Sequence, residues 1–133
     1  MMATLPRSIL VADEDDQSRN RLTSALRNEG FTAFGARSGA EAVEVVRNRG
    51  VGISILDTNL NDLTGIETFR LITSLYDGVE AIFLSRERSK DTLVRLLDAG
   101  VYTVLNKPPR LDVLLRAVHE LAGRFGWDDA TDK

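Results

Sequence analysis

Five short apolar runs, each followed by a longer stretch with helical spacing, constrain this chain more than any other feature. The runs are Ile9-Leu10-Val11-Ala12, Phe31-Thr32-Ala33-Phe34, Ile53-Ser54-Ile55-Leu56, Ala81-Ile82-Phe83-Leu84 and Val101-Tyr102-Thr103-Val104-Leu105. Each is too short for a helix and is bounded by polar residues, glycine or proline, so each predicts a strand. The second is the least apolar and predicts a strand nearer an edge. Helical patterns fill the gaps. Leu22, Ala25 and Leu26 mark residues 16–29, which Gly30 stops. Ser38 with Glu41 forms a capping box that opens a helix through Ala42, Val45 and Val46, closing near Gly50. Gly65 opens a third helix with Ile66, Phe69, Leu71 and Ile72 inward, ended by the Asp77-Gly78 turn. Leu93, Val94, Leu96 and Leu97 line a fourth over residues 89–99, stopped by Gly100. Pro108 and Pro109 break the fifth strand, and Leu111, Leu114, Leu115 and Val118 carry the last helix over residues 111–121.

Helical crossovers between consecutive strands force parallel pairing and place helices on both faces. With right-handed crossovers few topologies remain. The expectation is an α/β chain: a single flavodoxin-like (βα)5 domain with a parallel five-stranded sheet of order 2-1-3-4-5. Residues 1–7 form a lead-in, 8–122 the domain, and 123–133 a polar tail or the start of a linker. The tail holds the only tryptophan, Trp127, as a packing or linker residue. A length of 133 residues supports one core. The net charge of −3 gives no footprint for nucleic acid or an anionic membrane. No cysteine and a single histidine exclude thiolate and histidine-cluster metal sites, and the lack of cysteine suits a cytoplasmic home. No run approaches a membrane span, and the first residues lack the apolar stretch of a signal peptide.

Asp57 ends a run that reads as a fully buried strand. An unpaired charge is expensive in a core, so Asp57 belongs at the C-terminal lip of the sheet, where open α/β folds place their sites. Asp13, Glu14 and Asp15 after the first strand, Ser85 after the fourth, and Asn106-Lys107 after the fifth aim at the same lip. Each has a bland explanation alone: acids favour a helix N-terminus, and a loop serine or a lysine before proline is ordinary surface. Their convergence on one edge favours a metal-assisted phosphoryl acceptor.

Four segments carry a resemblance: Ile9-Leu10-Val11-Ala12-Asp13-Glu14-Asp15, Ile55-Leu56-Asp57 with Gly65 eight residues on, Phe83-Leu84-Ser85, and Leu105-Asn106-Lys107-Pro108. In this order the chain resembles the receiver domain of two-component response regulators, of the chemotaxis-regulator type. The resemblance implies that Asp57 is the phosphoacceptor and that Asp13 and Glu14 hold Mg2+, Glu14 through water. It implies that Asn59 lends the metal a backbone carbonyl. Ser85 and Lys107 would contact the phosphoryl group, and the Lys107–Pro108 bond would be cis. The implied activity is self-catalysed aspartyl phosphorylation and dephosphorylation rather than conventional enzyme turnover. A sensor histidine kinase is the implied donor. An effector or a second copy would dock on the face of the fourth helix, fifth strand and fifth helix.

Three positions depart from the family pattern. Asn61 stands where proline is usual, which predicts a less stiff loop. Val104 replaces an aromatic residue, and Pro109 a frequent phenylalanine. Val104 and Asn61 motivate one alternative, a pseudo-receiver without a working switch. The other alternative is a haloacid dehalogenase-type phosphatase, read from Asp13-Glu14-Asp15; the chain is short for that fold. The acids of the lip also predict mutual repulsion among Asp13, Glu14 and Asp57 that a divalent cation relieves.

Overall fold

The computed structural model describes residues 6–127. Residues 1–5 of the expected lead-in and 128–133 of the expected tail lie outside them. Five strands alternate with five helices: β1 (Ser8–Ala12), α1 (Asp16–Asn28), β2 (Thr32–Ala36), α2 (Gly39–Arg49), β3 (Ile53–Asp57), α3 (Gly65–Leu75), β4 (Glu80–Ser85), α4 (Lys90–Asp98), β5 (Thr103–Asn106) and α5 (Leu111–Arg124). The strands pair in parallel in the order β2-β1-β3-β4-β5, as the alternation predicts. Among the described residues no helix is long and apolar enough to cross a membrane.

Two cores flank the sheet, and strand parity assigns residues to them. Ile9, Val11, Ile53, Ile55, Ile82 and Leu84 point toward α1 and α5. Leu10, Ala12, Leu56, Ala81 and Phe83 point toward α2, α3 and α4. Register aligns Ala12 with Leu56, Asp57 with Leu84, and Ser85 with Asn106, so the strands end together at one lip. Continuing the alternation puts Asp13, Asp57 and Lys107 on the α1/α5 side, and Ser85 on the other.

Local signals explain most boundaries. Ser38 caps α2 by accepting from Glu41 N at 3.0 Å. The Glu41 carboxylate, however, accepts from Arg37 N rather than from Ser38, so the expected box is only half made. The reciprocal box lies on α3 instead, between Thr64 and Glu67. Gly65 is required where it stands: a Cβ there would lie 2.6 Å from the Asp57 carbonyl oxygen. The start of α3 thus packs directly on the backbone of Asp57.

Several expectations need correction. β2 runs Thr32–Ala36, not 31–34, and Phe31 packs against the α1/α5 core just ahead of it. Leu71 on α3 faces solvent, and Thr68 is buried in its place, its hydroxyl bonded to Thr64 O at 2.9 Å. On α4 only Leu96 is buried, while Val94 and Leu97 are exposed, Leu97 at 52%. The apolar residues of this nine-residue helix share one broad face, and only its Leu96 edge is covered, which helical spacing alone does not reveal. α5 runs past the expected end at 121 to Arg124, and Trp127 is only 1% exposed within the α1/α5 core. The packed body therefore reaches Trp127, and the packing role of that residue holds over the linker role.

Candidate functional site

Asp57 closes β3 with 6% of its surface exposed. Its Oδ1 accepts from Asn59 N at 3.1 Å, and its Oδ2 accepts from Lys107 Nζ. Asp13, 1% exposed, accepts from Asp15 N at 3.0 Å through Oδ1. Its Oδ2 receives the Ser18 hydroxyl at 2.6 Å and Lys107 Nζ at 2.9 Å. One ammonium, on a side chain 5% exposed, therefore joins both buried carboxylates. Burial lowers the Lys107 pKa, but the hydrogen bonds and charges of Asp57 and Asp13 outweigh it and leave the pKa above the ordinary lysine value.

The acidic stretch divides its work. Asp13 enters the site. Glu14 lines the cleft from its exposed rim. Asp15 caps α1, its side chain accepting from Gln17 N at 3.1 Å. Asp16 pairs with Arg19, which also donates to the Asp13 carbonyl at 2.9 Å. The helix-start explanation therefore holds for Asp15 and Asp16 and fails for Asp13. Asp15 in a cap is also a poor fit to the phosphatase alternative, which needs it beside the nucleophile.

Ser85 is buried, but its hydroxyl stays within its own loop. It donates to Glu87 O at 2.7 Å and accepts from Glu87 N at 3.1 Å. It lines a cleft of about 200 Å³ with Thr64, Thr92 and Arg95. The cleft beside it, about 280 Å³, is lined by Asp13, Glu14, Asp57, Asn59 and Lys107. Both clefts share Thr58, Asn59 and Glu87, so they abut. Strand parity accounts for the split.

A family model described as "Response regulator receiver domain" matches residues 9–119. The chain belongs to this family. Among curated relatives, Response regulator MprA of Mycobacterium sp. (strain KMS) is 31% identical over 128 residues, 96% of this chain and 56% of its own length. Transcriptional regulatory protein GlrR of Escherichia coli (strain K12) is 29% identical over 119 residues, 90% of this chain and 27% of its own length. The chain thus spans about half the length of these relatives, or less. A receiver domain protein (CheY-like) from Methanospirillum hungatei JF-1 superposes with a TM-score of 0.84 at 23% identity, covering 92% of this chain and 98% of its own. The CheX-CheY-BeF3-Mg+2 complex from Borrelia burgdorferi gives 0.80 at 24% identity, over 88% of this chain and 90% of that one. At such identity these structural likenesses show the fold.

In this receiver the Lys107–Pro108 bond is cis, as the resemblance implies. Val104 packs partly buried against the α2/α3/α4 core, and its carbonyl accepts from Arg88 Nη1 at 3.3 Å. The loop carrying Asn61 has a brace that sequence reading missed. The Asp62 carboxylate accepts from Gly39 N at 2.8 Å and Ala40 N at 2.9 Å, at the start of α2. Ser18 and Arg19 were missed as well. Their positions one turn into an N-capped helix, facing back to the preceding acid, are the signal that could have found them.

The expected repulsion among Asp13, Glu14 and Asp57 is not what the site holds. Lys107 sits between Asp13 and Asp57, and Glu14 is at the rim. The same geometry tests the fit of Mg2+. Among the described residues no group of three or more His, Cys, Asp or Glu side chains is spaced to hold a metal. Two carboxylates nevertheless converge on one cation-sized position, already taken by an ammonium, and Asn59 lines the same cleft. Two carboxylates with several waters suit a hard octahedral cation that dehydrates reluctantly, so the residues fit the ion.

Proposed function

We propose that this receiver accepts a phosphoryl group on Asp57. The observation that carries the reading is the buried carboxylate at the end of β3, sharing one ammonium with Asp13. A carboxylate oxygen of Asp57 attacks phosphorus. The P–N bond of a sensor kinase phosphohistidine breaks, or the P–O bond of a small acyl phosphate, and the leaving group departs with a proton or as carboxylate. Such transfer is mostly positioning and charge neutralisation. Mg2+, when bound, supplies neutralisation of the phosphoryl oxygens; Asp13, Asp57 and the Asn59 carbonyl would hold it, with Glu14 acting through water. Lys107 holds the carboxylates in place and offers a movable charge to the phosphoryl group. Ser85 would have to release Glu87 to donate there.

A cytoplasmic home suits this chemistry, with a histidine kinase as donor. The output surface in this reading is the face of α4, β5 and α5. Val94, Leu97 and Val113 are exposed there among Lys90, Arg95, Asp98, Asp112 and Arg116. Apolar centres ringed by mixed charge suit a specific partner, an effector or a second copy. Intact mass after incubation with acetyl phosphate and Mg2+ tests the acceptor. Wild type should gain one phosphoryl mass and Asp57→Asn none; equal labelling of both overturns the assignment.

A further inference from the structure

The cleft over Asp57 is walled by five carboxylates and only two cations, Lys107 and Arg86. Lys107 is engaged with Asp13 and Asp57. Arg86 is exposed and makes no hydrogen bond or ion pair among the described residues. Its neighbours in the loop are all occupied. The Ser85 hydroxyl holds both backbone groups of Glu87, Arg88 reaches the Val104 carbonyl, and Ser89 caps α4 through Thr92 N at 3.2 Å. The loop backbone is thus pinned on either side of Arg86 while its guanidinium remains uncommitted.

Sheet order gives that guanidinium a side. β3 lies between β1 and β4, so Asp57 has the acids of the β1 end on one flank and Arg86, just past β4, on the other. A phosphoryl group approaching Asp57 brings negative charge into a cleft where acids outnumber bases. Lys107 can meet it only by loosening bonds to Asp13 and Asp57. Arg86 has nothing to give up, and its planar fork matches two phosphoryl oxygens at once.

We infer that Arg86 is the residue that captures the phosphodonor at this site, binding its phosphoryl oxygens from the β4 flank. The inference rests on Asp57 as the acceptor. Arg86 acts on an anion arriving from solvent, so its effect is screened by salt. Its loss weakens donor binding without disturbing the fold, because it holds no other group. A lysine there keeps the charge and loses only the fork.

The test is the rate of phosphoryl mass gain from acetyl phosphate with Mg2+, donor kept below saturation, for wild type, Arg86→Ala, Arg86→Lys and Asp57→Asn. Arg86→Ala should label about five- to tenfold more slowly at low ionic strength, with the gap narrowing in high salt. Arg86→Lys should keep most of the rate, and all three substitutions at or away from Arg86 should be compared by melting temperature, which Arg86→Ala leaves unchanged. Wild-type labelling with Arg86→Ala equally fast at low salt overturns the inference alone. So does a slowing that salt does not relieve, or one that comes with a lowered melting temperature. No mass gain by wild type overturns the acceptor reading and this inference with it.

Discussion

The two ends of the sheet are both buried, and they are buried differently. At the N-terminal end, Trp127 lies 1% exposed against Phe31 and Phe125, with ring centroids 6.4 Å and 5.4 Å away. Gly52, just before β3, gives it room: a Cβ there would come within 2.5 Å of the indole. At the C-terminal end the buried groups are Asp13, Asp57 and the Lys107 ammonium. Burying an indole is favourable in proportion to the apolar area removed from water. Burying ions is costly, and their attraction offsets the cost only with good geometry and further hydrogen bonds. The base has even left a bond unmade, since Trp127 Nε1 has no partner among the described residues. The lip has bonded its carboxylates to Ser18, Asp15, Asn59 and Lys107. One end is built for stability, the other to hold charge ready.

The largest stability change should therefore come from the end without chemistry. Trp127→Ala should lose about 3–5 kcal/mol, as large aromatic truncations in cores do. Its Asp57 should still take a phosphoryl group from acetyl phosphate at temperatures where the variant stays folded. Chemical denaturation with intact-mass labelling separates the two effects. A variant that melts like wild type would mean that Trp127 is not part of the fold's base.

That base was the hardest part to read from sequence. Trp127 follows Gly123 and Gly126 in a polar stretch, and nothing local indicates that the chain folds back over Gly52, far away in sequence. The sheet was legible because short apolar runs and helical spacing are local signals. The triad of Asp13, Asp57 and Lys107 was legible as a convergence on one lip, and strand parity could have separated Ser85 from it in advance. What the sequence could not show was commitment: that Lys107 is spent on two carboxylates, that the Ser85 hydroxyl is held by Glu87, and that Asp62 reaches α2. These depend on side-chain direction and loop path, which spacing does not encode.

A smaller change is expected when the lip loses its cation. Lys107→Met leaves Asp13 and Asp57 facing each other without compensation. An unsatisfied buried group costs about 1–3 kcal/mol, more when charged, with solvent at the open lip relieving part of it. The variant should unfold more easily than wild type in EDTA, and Mg2+ should recover more stability in it than in wild type, because the ion replaces the lost charge. Urea melts with and without Mg2+ measure both. If Lys107→Met were as stable as wild type in EDTA, the shared ammonium would be incidental to the lip, and the contrast with the base would fail.

The smallest effect belongs to Asp62, at the exposed rim of the same end. Its carboxylate accepts from Ala40 N and Gly39 N at the start of α2, and these bonds hold its pKa below the usual value of 3.8, against a small opposing effect of burial. A group whose folded pKa is depressed adds stability above its unfolded pKa and loses it as pH falls through the folded one. Two donors at the helix start are involved, but the group is solvated and screened. Asp62→Ala should therefore cost only about 0.5–1 kcal/mol at pH 7, the range of an exposed cap. The gap from wild type should shrink as pH drops below 3.8 toward the depressed folded pKa, through which the folded wild-type carboxylate loses its charge. The loop that Asp62 braces also carries Asn59, so the variant should gain less stability from Mg2+ than wild type does. Paired urea melts at neutral and acid pH decide it: a gap that does not change with pH would mean that the brace acts through shape alone, and an absent gap would mean that the loop after β3 is held by the Thr64–Glu67 box without it.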